Sequence, residues 1–85
     1  MEASIQLDII SPEKTLVSEK TGFVIMPGIS GGFEVLKDHA PLITALEAGV
    51  IRYGLPGEEK ELKIRSGFVE VRDNYVTICV EEAEG

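Results

Sequence analysis

Cysteine, histidine and basic residues are scarce in this chain, and each scarcity removes a class of chemistry. A single cysteine, Cys79, among 85 residues allows no internal disulfide and no cysteine-based zinc site. A single histidine, His39, does not make a metal site. Asp38 beside it is no acid–base partner on spacing grounds, because adjacent residues of an extended segment point apart. Eight basic against fifteen acidic side chains leave a net charge of −7. That balance withholds the phosphate-neutralising surface nucleic acid requires and makes anionic membranes poor direct partners. No apolar run approaches the roughly 20 residues of a membrane helix. Met1, Glu2, Ala3 and Ser4 lack the basic and apolar regions of a signal peptide, so the expectation is a cytosolic or stromal chain. Ser11, Ser18, Ser30 and Ser66 have no matching base motif, no Gly-x-Ser-x-Gly elbow is expected, and with it no nucleophile.

What is present describes one small domain, residues 1–85. The chain is 44% hydrophobic and 27% charged, without a low-complexity tract, which argues against disorder. A chain this short buries roughly 60 to 65% of its unfolded surface, so the core is thin and every large apolar residue counts. Cys79 lies in an apolar run, residues 75–80, with no Lys, Arg or His beside it to stabilise a thiolate. It reads as a buried structural thiol.

Residues 4–10 place Ile5, Leu7 and Ile9 on one face and Gln6 and Asp8 on the other, as a half-buried strand does. Ser11, Pro12, Glu13 and Lys14 form a turn; residues 15–18, 21–26 and 33–36 read as three further strands. Residues 42–46 and 50–53 are strand candidates expected to pair with each other across Glu47, Ala48 and Gly49, where glycine permits a reversal. Residues 40–48 also admit a helical period, but Pro41, Thr44 and Gly49 leave that helix short, so strand is favoured. After a polar turn at 55–59, residues 60–65 alternate Leu62 and Ile64 with charge. Residues 68–72 alternate Val69 and Val71 with Glu70 and Arg72, and Asp73 and Asn74 turn the chain into a last strand over 75–80. Alternation sends Val71 and Ile78 to the interior. Glu58, Glu59 and Glu61 interleaved with Lys60 and Lys63 read as a solvated face. Residues 81–85 read as a frayed tail or the first turn of a helix. Short strands spaced by turns indicate an all-β fold, an antiparallel β-sandwich or barrel.

The most distinctive stretch is residues 26–42, two constrained turns joined by one short strand. Gly28, Gly31 and Gly32 permit backbone angles a side chain would oppose, while Pro27 and Pro41 fix theirs. The glycines do not make a phosphate loop, since no Lys-Ser or Lys-Thr follows and the turn opens a strand. Two readings stay open for it. One is a β-turn or bulge that carries the chain between sheets; the other adds a surface bare enough for another protein's backbone to approach. His39 by itself reads as a turn residue facing solvent.

Residues 7–13, 26–42, 44–52, 67–71 and 76–80 resemble, in the same order, the N-terminal domain of the epsilon subunit of F-type ATP synthases, called delta in mitochondria. The glycine turn followed by His39, Ala40, Pro41 and Leu42 is the most specific part of the resemblance. It implies a ten-stranded β-sandwich on the rotor, bound to the gamma subunit and resting on the ring of c subunits. There it helps couple proton transport to ATP synthesis without performing chemistry or holding a cofactor. The implied location is peripheral, on the cytoplasmic face of a bacterial inner membrane or the stromal face of a thylakoid. By the same resemblance, Gly28, Ser30, Gly31, Gly32 and Phe33, together with Asp38, His39, Ala40, Pro41 and Leu42, face the c ring and the foot of gamma. Ser11, His39 and Thr44 match positions near gamma. Ser66 departs from the family, which commonly has glycine there. Family members usually continue into a pair of helices; this sequence stops at Gly85, so the expectation is no C-terminal helical hairpin, and neither inhibition nor nucleotide sensing through one. The alternative is a free-standing β-sandwich that binds a ligand or peptide in the cleft between its sheets.

Overall fold

Alternation of apolar and polar residues fixes which side of each strand is dry. In β1 (Ile5–Ile10), Ile5, Leu7 and Ile9 are fully buried while the residues between them are half exposed, the period of a strand with one face on a core. The same pattern buries Val76, Ile78 and Val80 in β8 (Tyr75–Glu82). The computed structural model describes residues 1–83. The remaining strands are β2 (Thr15–Thr21), β3 (Phe23–Met26), β4 (Phe33–Val35), β5 (Leu42–Leu46), β6 (Gly49–Gly54) and β7 (Lys60–Arg72). They are hydrogen-bonded in the order β2-β1-β8-β7-β6-β3-β4, with β5 also on β7. All pairs are antiparallel except β1 with β8, a parallel pair whose crossover is the rest of the domain.

β7 organises the fold. Its first half pairs with β6, and its second half pairs with β5 on one edge and β8 on the other. Between the halves the burial parity flips, from Leu62 and Ile64 inward to Val69 and Val71 inward. A bulge between Ile64 and Ser66 in the pairing with β8 supplies the extra residue that turns the strand over. One strand thus serves both layers of the sandwich, with β6, β3 and β4 extending from one half and β8, β1 and β2 from the other.

The all-β sandwich class holds, and residues 40–48 contain strand, not helix. Among the described residues the strands number eight, against the ten that the resemblance implies, and residues 60–65 and 68–72, expected as two strands, are one bulged strand. The expected pairing of 42–46 with 50–53 does not occur. β5 and β6 run one after the other along the same edge of β7, from Leu42 opposite Val71 to Tyr53 opposite Lys60. Gly49 therefore does not reverse the chain. The break between β5 and β6 is covered by the segment after β3, where Glu47 N–H donates to the Pro27 carbonyl at 2.9 Å, so the two strands continue in line instead of folding back. Glu81 and Glu82 extend β8 and are neither frayed nor helical; Ala83 follows them outside any strand, its N–H donating to the Lys63 carbonyl at 3.3 Å, and Glu84 and Gly85 lie outside the described residues. Cys79 is half-buried, not buried. It falls between the inward Ile78 and Val80 and so points outward beside its ladder partners Phe68 and Ile10.

The layers close where β2 meets the β6–β7 hairpin. Thr21, 0% exposed, places its hydroxyl 2.9 Å from the Phe23 carbonyl and accepts from Gly54 N–H at 2.7 Å. Outside it, Lys60 donates to Glu19 at 3.0 Å; that bond and the Glu19 charge raise the Lys60 pKa. Burial, then Glu19, raises that of Tyr53. Exposed pairs of this kind stabilise little, whereas the threonine closes a buried donor. Thr21→Val should therefore cost about 1–3 kcal/mol, read in urea melts, because Gly54 N–H is left dry and unpaired.

Candidate functional site

The β3–β4 turn is built on its own backbone bonds and clamped to β5. Gly31 N–H donates to the Gly28 carbonyl at 2.9 Å, and Ile29 N–H donates to the Ala45 carbonyl at 3.0 Å. Its three glycines differ in what holds them. A Cβ on Gly28 would sit 2.7 Å from the Gly31 carbonyl oxygen and 2.8 Å from the Phe33 ring, and Gly31 has φ +126°. The chain's own shape demands both. Gly32 has no such φ, and a Cβ there would meet one heavy atom within 4 Å, the Met26 carbonyl oxygen at an ordinary 3.7 Å. The two readings of the turn therefore divide between residues: Gly28 and Gly31 are explained by folding, Gly32 is not.

The second turn, residues 36–41, leads from β4 into β5. His39 N–H donates to the Leu36 carbonyl at 3.1 Å, and Asp38 takes φ 64°, a region its short polar side chain tolerates. His39 Nδ1 lies 2.7 Å from the Ala40 carbonyl oxygen. A carbonyl only accepts, so Nδ1 is the donor in this contact.

These two turns and the inward side of β5 enclose a groove of about 390 Å³ lined by Gly28, Ser30, Gly31, Gly32, Phe33, His39, Leu42 and Thr44. His39 is half-buried there rather than facing solvent freely. Asp38, Ala40 and Pro41 are exposed on the adjoining loop and do not line it. Ser11 is elsewhere. It closes the β1–β2 turn, accepting at Oγ from Lys14 N–H at 3.3 Å, beside a second groove of about 430 Å³ with Ile10, Phe68 and Cys79 on its wall.

Three features escaped the sequence reading. Gly28, Ser30 and Gly32 carry the Gly-x-Ser-x-Gly spacing, which in hydrolases marks a strand-to-helix elbow. Here the spacing joins strand β3 to strand β4, with no helix among the described residues, so it is not that elbow. Ile29, at the tip of the turn, is 61% exposed and Phe68 is 53% exposed. The alternation that buries Val69 and Val71 already sends Phe68 outward. Finally Asn74, at the β7–β8 turn, holds the loop that carries His39. Nothing local in the sequence signals that, because its partner Asp38 is 36 residues away.

Comparison with known proteins follows the same lines. The chain is 43% identical over 84 residues to the ATP synthase epsilon chain of Desulfitobacterium hafniense (strain DSM 10664 / DCB-2), covering 99% of this chain and 64% of that protein. It is 37% identical over 84 residues to the ATP synthase epsilon chain of Carboxydothermus hydrogenoformans, covering 99% and 63%. It thus spans a little under two thirds of the length of these relatives. Among solved structures, a chain of the Euglena gracilis mitochondrial ATP synthase OSCP/F1/c-ring assembly superposes with TM-score 0.87 at 23% identity, over 99% of this chain and 54% of that one. A chain of the Tetrahymena thermophila mitochondrial ATP synthase central stalk and c ring gives 0.79 at 15% identity, over 93% and 64%. At those identities the superpositions speak for the fold. The family model described as ATP synthase, Delta/Epsilon chain, beta-sandwich domain matches residues 4–85, and with the relatives at 43% and 37% identity it shows that the chain belongs to the ATP synthase delta/epsilon chain family.

Proposed function

We propose that this domain is a non-catalytic part of the rotor of an F-type ATP synthase, seated between the gamma subunit and the c ring and coupling proton transport to ATP synthesis. The observation that carries the reading is the convergence of eight of the twelve residues singled out by resemblance on one groove. That groove sits beside an exposed isoleucine and a glycine that folding does not require. Exposed apolar side chains beside bare backbone suit a partner surface that packs closely. The remaining residues divide in the proposal: Asp38, Ala40 and Pro41 extend the surface along the loop, and Ser11 touches gamma from a separate patch.

The build of the sandwich supports the mechanical role. An element that passes torque must not shear, and β7 crosses from one layer to the other, so displacing either layer strains the shared strand. The domain would sit at the membrane peripherally, through the complex, on the cytoplasmic or stromal face. The competing reading, a ligand module with its site between the sheets, loses its premise. That space is occupied by Ile5, Leu7, Ile9, Val69 and Ile78, each 0% exposed.

Mixing the domain with purified gamma subunit should give a 1:1 complex by size-exclusion chromatography with light scattering. No complex with gamma or with gamma bound to the c ring at about 50 μM, a concentration that captures even weak transient pairs, would end the proposal.

A further inference from the structure

The loop that carries His39 is tied to the body of the sandwich by one reciprocal side-chain pair. Asp38 N–H donates to Asn74 Oδ1 at 2.7 Å, and Asn74 Nδ2 donates back to Asp38 Oδ1 at 3.1 Å. Among the described residues these are the hydrogen bonds the loop makes to another element; His39 bonds only to Leu36 and Ala40 within the loop. Asn74 is itself anchored at the other end, because its carbonyl accepts from Gln6 N–H at 2.9 Å. Its φ of 64° aims the side chain out of the β7–β8 turn, and asparagine tolerates that angle where branched residues do not. Asp38, with the same φ of 64°, meets it from the other side. Two strained-sign residues joined by both donor and acceptor fix the loop's position more tightly than either turn does alone.

We infer that Asn74 is a positioning residue for the partner surface: it holds residues 36–41 so that His39 and Leu42 keep their places on the wall of the groove. The inference rests on the proposed gamma-binding role of that groove. A partner binds the held loop directly, whereas a released loop spends part of its time elsewhere, and apparent affinity falls by the fraction of chains in the competent form. Asn74 need not touch the partner for this to operate.

Three variants test it, using the domain and gamma subunit together. Asn74→Gly removes the side chain while keeping a residue at ease with positive φ. Asn74→Asp keeps an acceptor for Asp38 N–H but sets two carboxylates against each other. The exchanged pair Asp38→Asn with Asn74→Asp keeps residue 38 N–H donating to an oxygen of residue 74, restores the side-chain bond with donor and acceptor swapped, and leaves the net charge unchanged. The first two should bind gamma about five- to tenfold more weakly, with melting temperatures within about 3 °C of the parent, and amide exchange at residue 38 should quicken by a similar factor. The exchanged pair should return both affinity and exchange to parental values. If the parent binds gamma and His39→Ala weakens binding while both Asn74 variants bind like the parent, the positioning role is wrong and the groove's role stands. Weakening that the exchanged pair fails to rescue also overturns it, and a parent that does not bind gamma removes both.

Discussion

Ile78→Asp unfolds the isolated domain at neutral pH. Ile78 is 0% exposed and stands in the ladder between Ile9 and Val69, both also fully buried, so a carboxylate there has neither water nor a partner. Removing an aliphatic side chain from such a place and leaving an unpaired polar group costs several kcal/mol. A domain of this size holds only about 4–13 kcal/mol in total. Val71→Asp, at a site 2% exposed and flanked by Leu42 and Val76, should behave alike. The pH dependence separates this cause from general disruption. Burial raises the pKa of the new carboxyl above its unfolded value of about 3.9. The stability of the variant is therefore greatest below that value, where the group is neutral in both states, and is lost as pH rises. Circular dichroism melts at pH 4 and pH 7 should show the variant more folded at the lower pH relative to the parent. Ile43→Asp is the control: Ile43 is 72% exposed on β5, and its change should stay within about 0.5 kcal/mol. Equal loss at positions 43 and 78 would mean the parity of these strands is misplaced.

That parity was legible because a period of two is written locally. Ile5, Leu7 and Ile9 announce their own face, as do Val69 with Val71 and Leu62 with Ile64. The two sets on β7 differ in phase, and the sequence reading split them into two strands where the molecule keeps one and inserts a bulge at Arg65 and Ser66. Ser66 sits at that bulge and is exposed, so its side chain needs no extra room. What was not legible was long-range choice. β5 and β6 each alternate correctly, but whether they pair with each other or in line with β7 depends on Pro27 and Gly28 covering the break, a contact remote in sequence. The same limit hid Asn74, whose role exists only once the β7–β8 turn lies beside Asp38. At the site, resemblance supplied the residues and geometry sorted them, gathering those of the β3–β4 turn with His39, Leu42 and Thr44 while leaving Asp38, Ala40 and Pro41 on the adjoining loop and Ser11 on another face.

Gly32→Glu should fold as well as the parent and fail in the assembled enzyme. Its backbone is not in the left-handed region and a Cβ has an ordinary contact at 3.7 Å, so the domain loses nothing by accepting a side chain and gains a little from a stiffer unfolded chain. Gly28→Ala makes the contrast. Its Cβ would press to 2.7 Å on a backbone oxygen and 2.8 Å on the Phe33 ring, overpacking that costs about 1–3 kcal/mol. The two changes lie four residues apart in one turn, so general effects on expression or turn flexibility are shared and the difference isolates what each glycine is for. Under the rotor reading the surface at position 32 meets another backbone, and a carboxylate there brings both bulk and a desolvated charge. Together these should weaken binding to gamma or the c ring by 100-fold or more, about 2.7 kcal/mol. ATP-driven proton pumping in membrane vesicles should fall accordingly while the melting temperature of the free domain stays within about 3 °C. His39→Glu, on the facing wall of the same groove, should act in the same direction. Full pumping with Gly32→Glu incorporated at parental stoichiometry would place the contact elsewhere on the domain, with the exposed wall around Phe68 and Ser11 as the remaining surface to test.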